Sequence, residues 1–256
     1  MDPAPPSERV VWIPVSAEEV ARRKRRIWLS IVAAGMVFSL AAAYLYKRST
    51  DPIQARQSFD TGVHLYANGR YPQAVLSFDR AASLDPRLAA AYLWRGKASM
   101  ASGHVDAAIA DFGRALELRP RDGEALVERG ECWLGVKDYQ AAIADASRAI
   151  AVDSRLARAY GLRGVATREM GDPQKALADL TRAVELDPEM EAYFERAATY
   201  QLLGEHRMAI ADLDNMIALA PDAAPSYFAR ARSREALGDL RGAERDRERG
   251  RALDGR

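Results

Sequence analysis

The sequence has few of the residues on which enzyme and metal sites depend. Of its 256 residues, one is a cysteine, Cys132, and three are histidines. A single cysteine excludes an intramolecular disulfide framework and any zinc site built on several cysteines. No Ser–His–Asp set, HExxH motif, P-loop or GxGxxG motif is present. We therefore expect no enzymatic activity, no catalytic residues, no cofactor and no metal site.

Neither sign of charge is in excess. The chain has 37 Lys+Arg and 36 Asp+Glu, which gives a net charge of +1. Residues 1–51 hold 8 basic and 5 acidic side chains, whereas residues 52–256 hold 29 basic and 31 acidic ones. The larger part of the chain lacks the basic surface that nucleic acid requires, so we expect no nucleic-acid partner.

One long apolar run occurs, at residues 27–46 (IWLSIVAAGMVFSLAAAYLY). Twenty helical residues rise about 30 Å, roughly the thickness of the hydrocarbon core of a bilayer. Trp28 lies at one end and Tyr44 and Tyr46 at the other, where aromatic rings prefer the headgroup level. The run predicts a transmembrane helix in contact with membrane lipid, preceded by a segment of residues 1–26 and followed by a linker of residues 47–54.

The flanking charges predict an orientation. Five basic residues (22–26) precede the run, and Lys47, Arg48 and Arg56 follow it, which favours a cytoplasmic N-terminus. The 32 Arg against 5 Lys suggest a GC-rich bacterial genome, so we expect a bacterial inner-membrane protein with residues 49–256 in the periplasm. Two alternatives stay open: a signal peptide cleaved near Ala41–Ala43, and a mitochondrial outer-membrane anchor with a cytosolic domain.

Small residues recur every four positions within the same run, at Gly35, Ser39 and Ala43. This spacing lets two membrane helices approach closely. It predicts weak self-association through residues 27–46.

The rest of the chain repeats itself with a period of 34 residues, once shortened to 33. Small residues mark the first series: Gly62, Gly96, Gly130, Gly164, Ala197 and Ala231. A second series runs in step with it: Ala74, Ala108, Ala142, Ala176, Ala209 and Ala243. Each unit contains two stretches with helical spacing of apolar residues, such as 89–102 and 105–118, and Pro120 stops the second. One unit cannot bury its own apolar face, so neighbouring units must stack.

This pattern resembles the tetratricopeptide repeat (TPR), which has small residues at positions 8, 20 and 27 and proline at position 32. The resemblance implies an all-α fold: a right-handed α-solenoid of six helix-turn-helix units, here preceded by the transmembrane helix. The units lie at about 55–88, 89–122, 123–156, 157–189, 190–223 and 224–256. Unit three departs from the pattern at Ala146 and Ser154, and unit five is one residue short near Glu189–Glu191.

The resemblance also implies a concave protein-binding groove lined by the first helix of each unit. The candidate groove residues are Phe59, Val63, Tyr66, Leu93, Lys97, Met100, Glu131, Arg158 and Arg168. The implied function is that of a membrane-anchored scaffold or adaptor that binds other proteins or peptide segments and assists complex assembly. The alternative is a chaperone-like factor or receptor that binds extended client polypeptides at a membrane.

Arginine and aspartate recur with the repeat. Asp111 and Arg114 lie three apart on a second helix, as do their equivalents in units three and four, and an arginine such as Arg95 recurs on the first helices. A catalytic group need not recur in every unit, so these residues predict a ladder of ion pairs that fixes the spacing of helices.

Overall fold

The computed structural model describes residues 17–255; residues 1–16, which begin the predicted N-terminal segment, and Arg256 lie outside it. The chain divides into two compact units, Met1–Ile53 and Gln54–Arg256, which are described separately.

All regular elements in the described part of the chain are α-helices, and there are twelve of them. They are α1 (Ala17–Ala67), α2 (Tyr71–Leu84), α3 (Ala89–Ala101), α4 (Val105–Leu118), α5 (Gly123–Gly135), α6 (Tyr139–Val152), α7 (Ala157–Glu169), α8 (Pro173–Leu186), α9 (Met190–Leu202), α10 (His206–Leu219), α11 (Ala224–Ala236) and α12 (Leu240–Asp254). From α3 onward each helix packs against the next one along the chain. This is the stacking of helical hairpins that the repeat predicts.

The predicted membrane span is not found: across the residues described, every helix is too short or too polar to cross a bilayer. The predicted single-pass membrane localisation, whether in a bacterial inner membrane or a mitochondrial outer membrane, is therefore wrong. Residues 27–46 do not form a separate helix. They are the middle of the 51-residue helix α1, whose remaining turns are rich in charged and polar residues.

Without a membrane-spanning helix, the residues predicted as a membrane anchor do not have that role. Trp28, Gly35, Ser39 and Tyr44 lie exposed on α1, and the side chain of Tyr46 lies outside the described residues. The predicted lipid contact and self-association through this helix have no support. Residues 47–54, predicted as a linker, are also helical.

The ends of the helices follow from local chemistry. The side chains of Asp122, Asp138, Asp172 and Asp239 each accept a hydrogen bond from the backbone N–H three residues on, which caps the helix that begins there. Pro86, Pro120, Pro188 and Pro221 each lie two residues after the end of a second helix, where a ring without an N–H costs no helical hydrogen bond.

Glycine permits the two helices of a unit to cross closely. A Cβ added to Gly62 would lie 2.6 Å from the ring of Phe78, and one added to Gly96 would lie 2.7 Å from the ring of Phe112. Both rings are fully buried. The close contact explains why a small residue recurs at position 8, opposite the large residue 16 positions on.

In unit three, a different residue packs against the glycine at position 8. Ala146 stands where units one and two have a phenylalanine, which leaves space beside Gly130. Leu162 of the next unit fills it, because a Cβ on Gly130 would lie 2.5 Å from Leu162 Cδ2. Leu162 belongs to the same buried cluster as Ala142 and Ala146. The departure at Ala146 is thus compensated across the boundary between units.

A bidentate ion pair joins the two helices in five of the six units. Each time, an arginine on the first helix donates through Nε and Nη2 to both carboxylate oxygens of an aspartate 16 residues on. The pairs are Arg95–Asp111, Arg129–Asp145, Arg163–Asp179, Arg196–Asp212 and Arg230–Asp246, with distances of 2.6–3.0 Å. Both partners are mostly shielded from water in each pair, so these bonds are stronger than ordinary surface pairs.

Unit one has Thr61 and Ser77 at these positions and uses aromatic rings instead. Phe59 packs 5.6 Å from Phe78, and Trp94 of the next unit lies 5.3 Å from Tyr66 between ring centroids. The first pair is tilted and the second is edge-to-face, and aromatic contacts at these distances add to the stability that ring burial gives.

Unit five is one residue short because the loop that precedes it is shorter than the equivalent loops. Asp187–Glu189 joins α8 to α9 with three residues, whereas the equivalent connections, such as 119–122, have four. The missing residue is removed from a loop, so the helices on both sides keep their lengths.

Candidate functional site

The first helices of successive units share one face of the array. α3 contacts α5, α5 contacts α7, and α7 contacts α9, in addition to the contacts that each makes with its sequence neighbours. Residues on these four helices therefore form a continuous surface, which we call the groove. Six of the nine predicted groove residues, from Leu93 to Arg168, lie on α3, α5 and α7, and the other three lie on α1.

Two predicted groove residues are not on its surface. Phe59 is 8% exposed and belongs to the core of units one and two, and Leu93 is 6% exposed and belongs to the next core. Both side chains pack between helices and hold the array together. Val63 and Tyr66 are half-buried against the first of these cores.

Lys97 and Met100 lie on the groove side of α3. Lys97 Nζ bonds the carboxylate of Glu124, lies 3.6 Å from Glu128 Oε1, and sits 5.1 Å from the centroid of the Trp94 ring. Burial by itself would lower the pKa of Lys97, but the hydrogen bond to Glu124 and the charge of Glu128 raise it above its usual value. Lys97 is thus a fixed cation. Met100 is 36% exposed, with Sδ 3.3 Å from Cys132 Sγ.

Glu131 and Arg158 form the middle of the groove. Arg158 Nη2 lies 2.8 Å from Glu131 Oε1 and 3.3 Å from Glu128 Oε1, so α7 is tied to α5. Burial raises the pKa of Glu131, while the charge of Arg158 acts in the opposite direction. Each additional cation near Glu131 would stabilise its charged form.

Arg168 is a bridge inside the array. Its side chain is 11% exposed, and Nη1 donates to Glu195 Oε2 at 2.7 Å and to the Glu195 carbonyl at 3.2 Å. These bonds tie α7 to α9. Arg168 therefore positions the wall of the groove and has little surface left for a ligand.

Sequence reasoning missed the residues at position 6 of the units. Trp94, Glu128 and Glu195 all occupy it, and each contacts a predicted groove cation: Lys97, Arg158 and Arg168, respectively. The available signal was a large or charged residue at position 6 in five of the six units; unit six has Ala229 there.

Two cavities open on the groove. One, of about 200 Å³, is lined by Tyr66, Lys97, Met100, Ala101 and Glu128. The other, of about 170 Å³, lies among α5, α7, α8 and α9, with Gly161 in its lining. A larger depression lies on the loop Arg119–Gly123, but that loop alone lines it, so it has none of the convergent side chains of a binding site.

No group of three or more His, Cys, Asp or Glu side chains is arranged to hold a metal ion among the described residues. The buried thiol of Cys132 is not poised for reaction either. Burial raises its pKa to about 11, with the charges of Glu128 and Glu131 adding to the effect.

The stacked helical hairpins define an α-solenoid. Two family models described as "Tetratricopeptide repeat" match residues 95–161 and 157–190, and one described as "TPR repeat" matches residues 62–103. The chain belongs to the tetratricopeptide repeat family, whose members are generally non-catalytic scaffolds that bind other proteins or peptides. No curated protein sequence matches the chain.

Solved structures share the fold. TTC0263, a thermophilic TPR protein of Thermus thermophilus, is 24% identical, with a TM-score of 0.58 over 72% of this chain and 98% of its own. PilW, a type IV pilus biogenesis factor, is 22% identical, with a TM-score of 0.70 over 75% of this chain and 90% of its own. YrrB, a TPR protein with an unusual peptide-binding site, is 21% identical, with a TM-score of 0.55 over 68% of this chain and 90% of its own.

Proposed function

We propose that the protein is a non-enzymatic adaptor that binds an extended segment of another protein along the groove formed by α3, α5, α7 and α9. The observation that carries the proposal is the set of fixed charges beside partly exposed apolar side chains on that surface. Lys97, Glu131 and Arg158 are held in place by ion pairs. Met100 lies on the same helix as Lys97, and Val165 lies on the same helix as Arg158. Fixed charges beside apolar side chains give both specificity and affinity to a peptide site.

The comparisons support this proposal at the level of the fold. YrrB has a peptide-binding site and PilW acts in pilus biogenesis, and both are built as this chain is. We propose the same general role here, assistance in the assembly of a protein complex.

A second candidate is a chaperone-like factor that holds many extended clients. The exposed Met100 favours it, because flexible thioether side chains adapt to varied partners. An adaptor has a few partners at fixed stoichiometry, whereas a chaperone-like factor has many weak ones. The proposed domain organisation, with the interaction units within 55–256, is the same for both.

Site-specific photocrosslinking tests the proposal. A photoreactive residue at Met100 or Val165 should trap a small, reproducible set of proteins at fixed stoichiometry. The same residue at Leu76 on α2 or Ala178 on α8, both second-helix positions away from the groove, is the matched control and should trap none of that set. Equal trapping at groove and control positions would contradict the groove as the site, and a broad set of weak clients would favour the chaperone-like alternative.

A further inference from the structure

One unit lacks a side chain that the other five have at the same place. Position 5 holds a large apolar residue in five units: Phe59, Leu93, Val127, Phe194 and Phe228. In unit four it is Gly161. A Cβ added to Gly161 would meet no atom within 4 Å, so the position opens onto free space.

The 170 Å³ cavity lies at this position. Its apolar lining is formed by Leu134 from α5, Ala157, Leu162 and Val165 from α7, Leu180 and Ala183 from α8, and Ala192 from α9. At about 30 Å³ for each water in the liquid, the volume holds roughly five or six waters, which is room for one long side chain. The apolar walls favour aliphatic carbon over water.

The polar part of the same cavity is acidic. Its five carboxylates are Glu131, Asp187, Glu189, Glu191 and Glu195, and the single cation in the lining is Arg158. Arg168 is a second cation nearby, since it forms an ion pair with Glu195, one of the five carboxylates. The side chains that line the cavity therefore carry more negative than positive charge. The raised pKa of Glu131, due first to burial and in part to the charges of Glu128 and Glu191, agrees with that excess.

We propose that this cavity receives one lysine or arginine side chain of the bound segment. The aliphatic stem lies on the partly exposed Leu134, Val165 and Ala192, beside the glycine at position 5, and the cationic head lies among the carboxylates. A side chain with an apolar stem and a charged tip matches both halves of the cavity. The inference rests on the proposed function, since it names the residue that the groove selects in its partner.

Labelled peptide pools test the inference with the full chain. Each pool is an eight-residue peptide randomised among Ala, Ser and Leu, with the fourth residue fixed as Lys, Arg, norleucine or Glu. Fluorescence anisotropy should show the Lys and Arg pools binding about tenfold more tightly than the norleucine pool, and the Glu pool binding weakest.

Two variants, each with a matched control variant, locate the preference. Gly161→Phe fills the cavity with the ring that units five and six have there, and it should reduce the preference for Lys over norleucine to less than about twofold. Ala178→Phe adds a ring to the second helix of the same unit and should leave the preference unchanged. Glu191→Gln should weaken the preference about threefold, whereas Glu185→Gln on the exposed face of α8 should not. Circular dichroism confirms that each variant is folded.

The outcomes separate the two proposals. Equal binding of the Lys and norleucine pools, tighter binding of the Glu pool, or a preference that survives Gly161→Phe would overturn the lysine or arginine site while the peptide-binding groove stands. If no pool binds, both the site and the groove proposal are overturned.

Discussion

Lys137 is the clearest point of strain at the scale of single residues. It has a φ of 64°, in the left-handed region, at the turn between α5 and α6. The equivalent turns of the other units have Gly69, Gly103, Gly171, Gly204 and Gly238, all with positive φ. A side chain with a Cβ is disfavoured in this conformation, and glycine is not.

Lys137→Gly should therefore stabilise the protein. We expect the free energy of unfolding, measured by urea denaturation, to rise by about 0.5–1 kcal/mol, because the strain relieved exceeds the added flexibility of the unfolded chain. The converse variant, Gly103→Lys, places the same side chain at the same turn of unit two and should lower stability by a similar amount. An unchanged or lower stability of Lys137→Gly would show that the turn is not strained.

At the scale of helices, the arginine of the bidentate pair also reaches back toward the preceding unit in some repeats. Arg95 Nη1 lies 2.6 Å from Asp79, and Arg230 Nη1 lies 2.6 Å from Asp214, each on the previous second helix. The residue at this place before Arg129 is Gly113. A Cβ there would meet one atom within 4 Å, Arg129 Nη1 at 3.7 Å.

Gly113→Asp should complete this bridge between units two and three. We expect a gain of about 0.5–1 kcal/mol, since an exposed ion pair contributes up to about 1 kcal/mol and glycine is a poor residue inside a helix. Gly113→Asn is the control, because it removes the glycine without adding charge. The difference between the two variants in thermal or urea denaturation should shrink in about 0.5 M salt; no difference at low salt would exclude the bridge.

The helices were largely predictable from the sequence, and the contacts of the groove were not. The period predicts α4 at Val105–Leu118 as observed, because apolar spacing and a following proline mark both ends. The partners in the ion pairs were harder to predict from the sequence, because Asp111 lies three residues from Arg114 and 16 residues from Arg95. Only the packing of the helices makes Arg95 the bidentate partner. Phe59 and Leu93 were expected on the groove, but packing between helices buries them.

The length and composition of an apolar run also misled prediction. Residues 27–46 satisfy the usual length of a membrane span, yet they continue without a break into polar helix on both sides.

At the scale of the repeat array, the buried side chains form separate clusters that each join neighbouring units. One cluster contains residues between Phe59 and Ala98, another those between Leu93 and Ala159, and a third those between Ala197 and Ala229. Stability in such an array is close to a sum of local terms and nearest-neighbour terms. The loss of a unit at one end should therefore destabilise mainly the units next to it.

Ending the chain at Ala223, which removes α11 and α12, tests this. The truncation deletes Ala229 from the third cluster and removes the two bonds that Gln201 Nε2 makes to the Ala229 carbonyl and to Ser233 Oγ, at 2.8 and 2.7 Å. Hydrogen exchange should accelerate at least about tenfold in α9 and α10, where these neighbours are lost, and should change less than about twofold in α3–α6. Equal acceleration along the whole array would mean that it unfolds as one cooperative body, and the groove would then depend on the last unit for its shape. Local acceleration would instead leave the first two cavity-forming helices, α5 and α7, in place, so that peptide binding at the Lys97 end survives the truncation while the site beside Gly161, which needs α9, weakens.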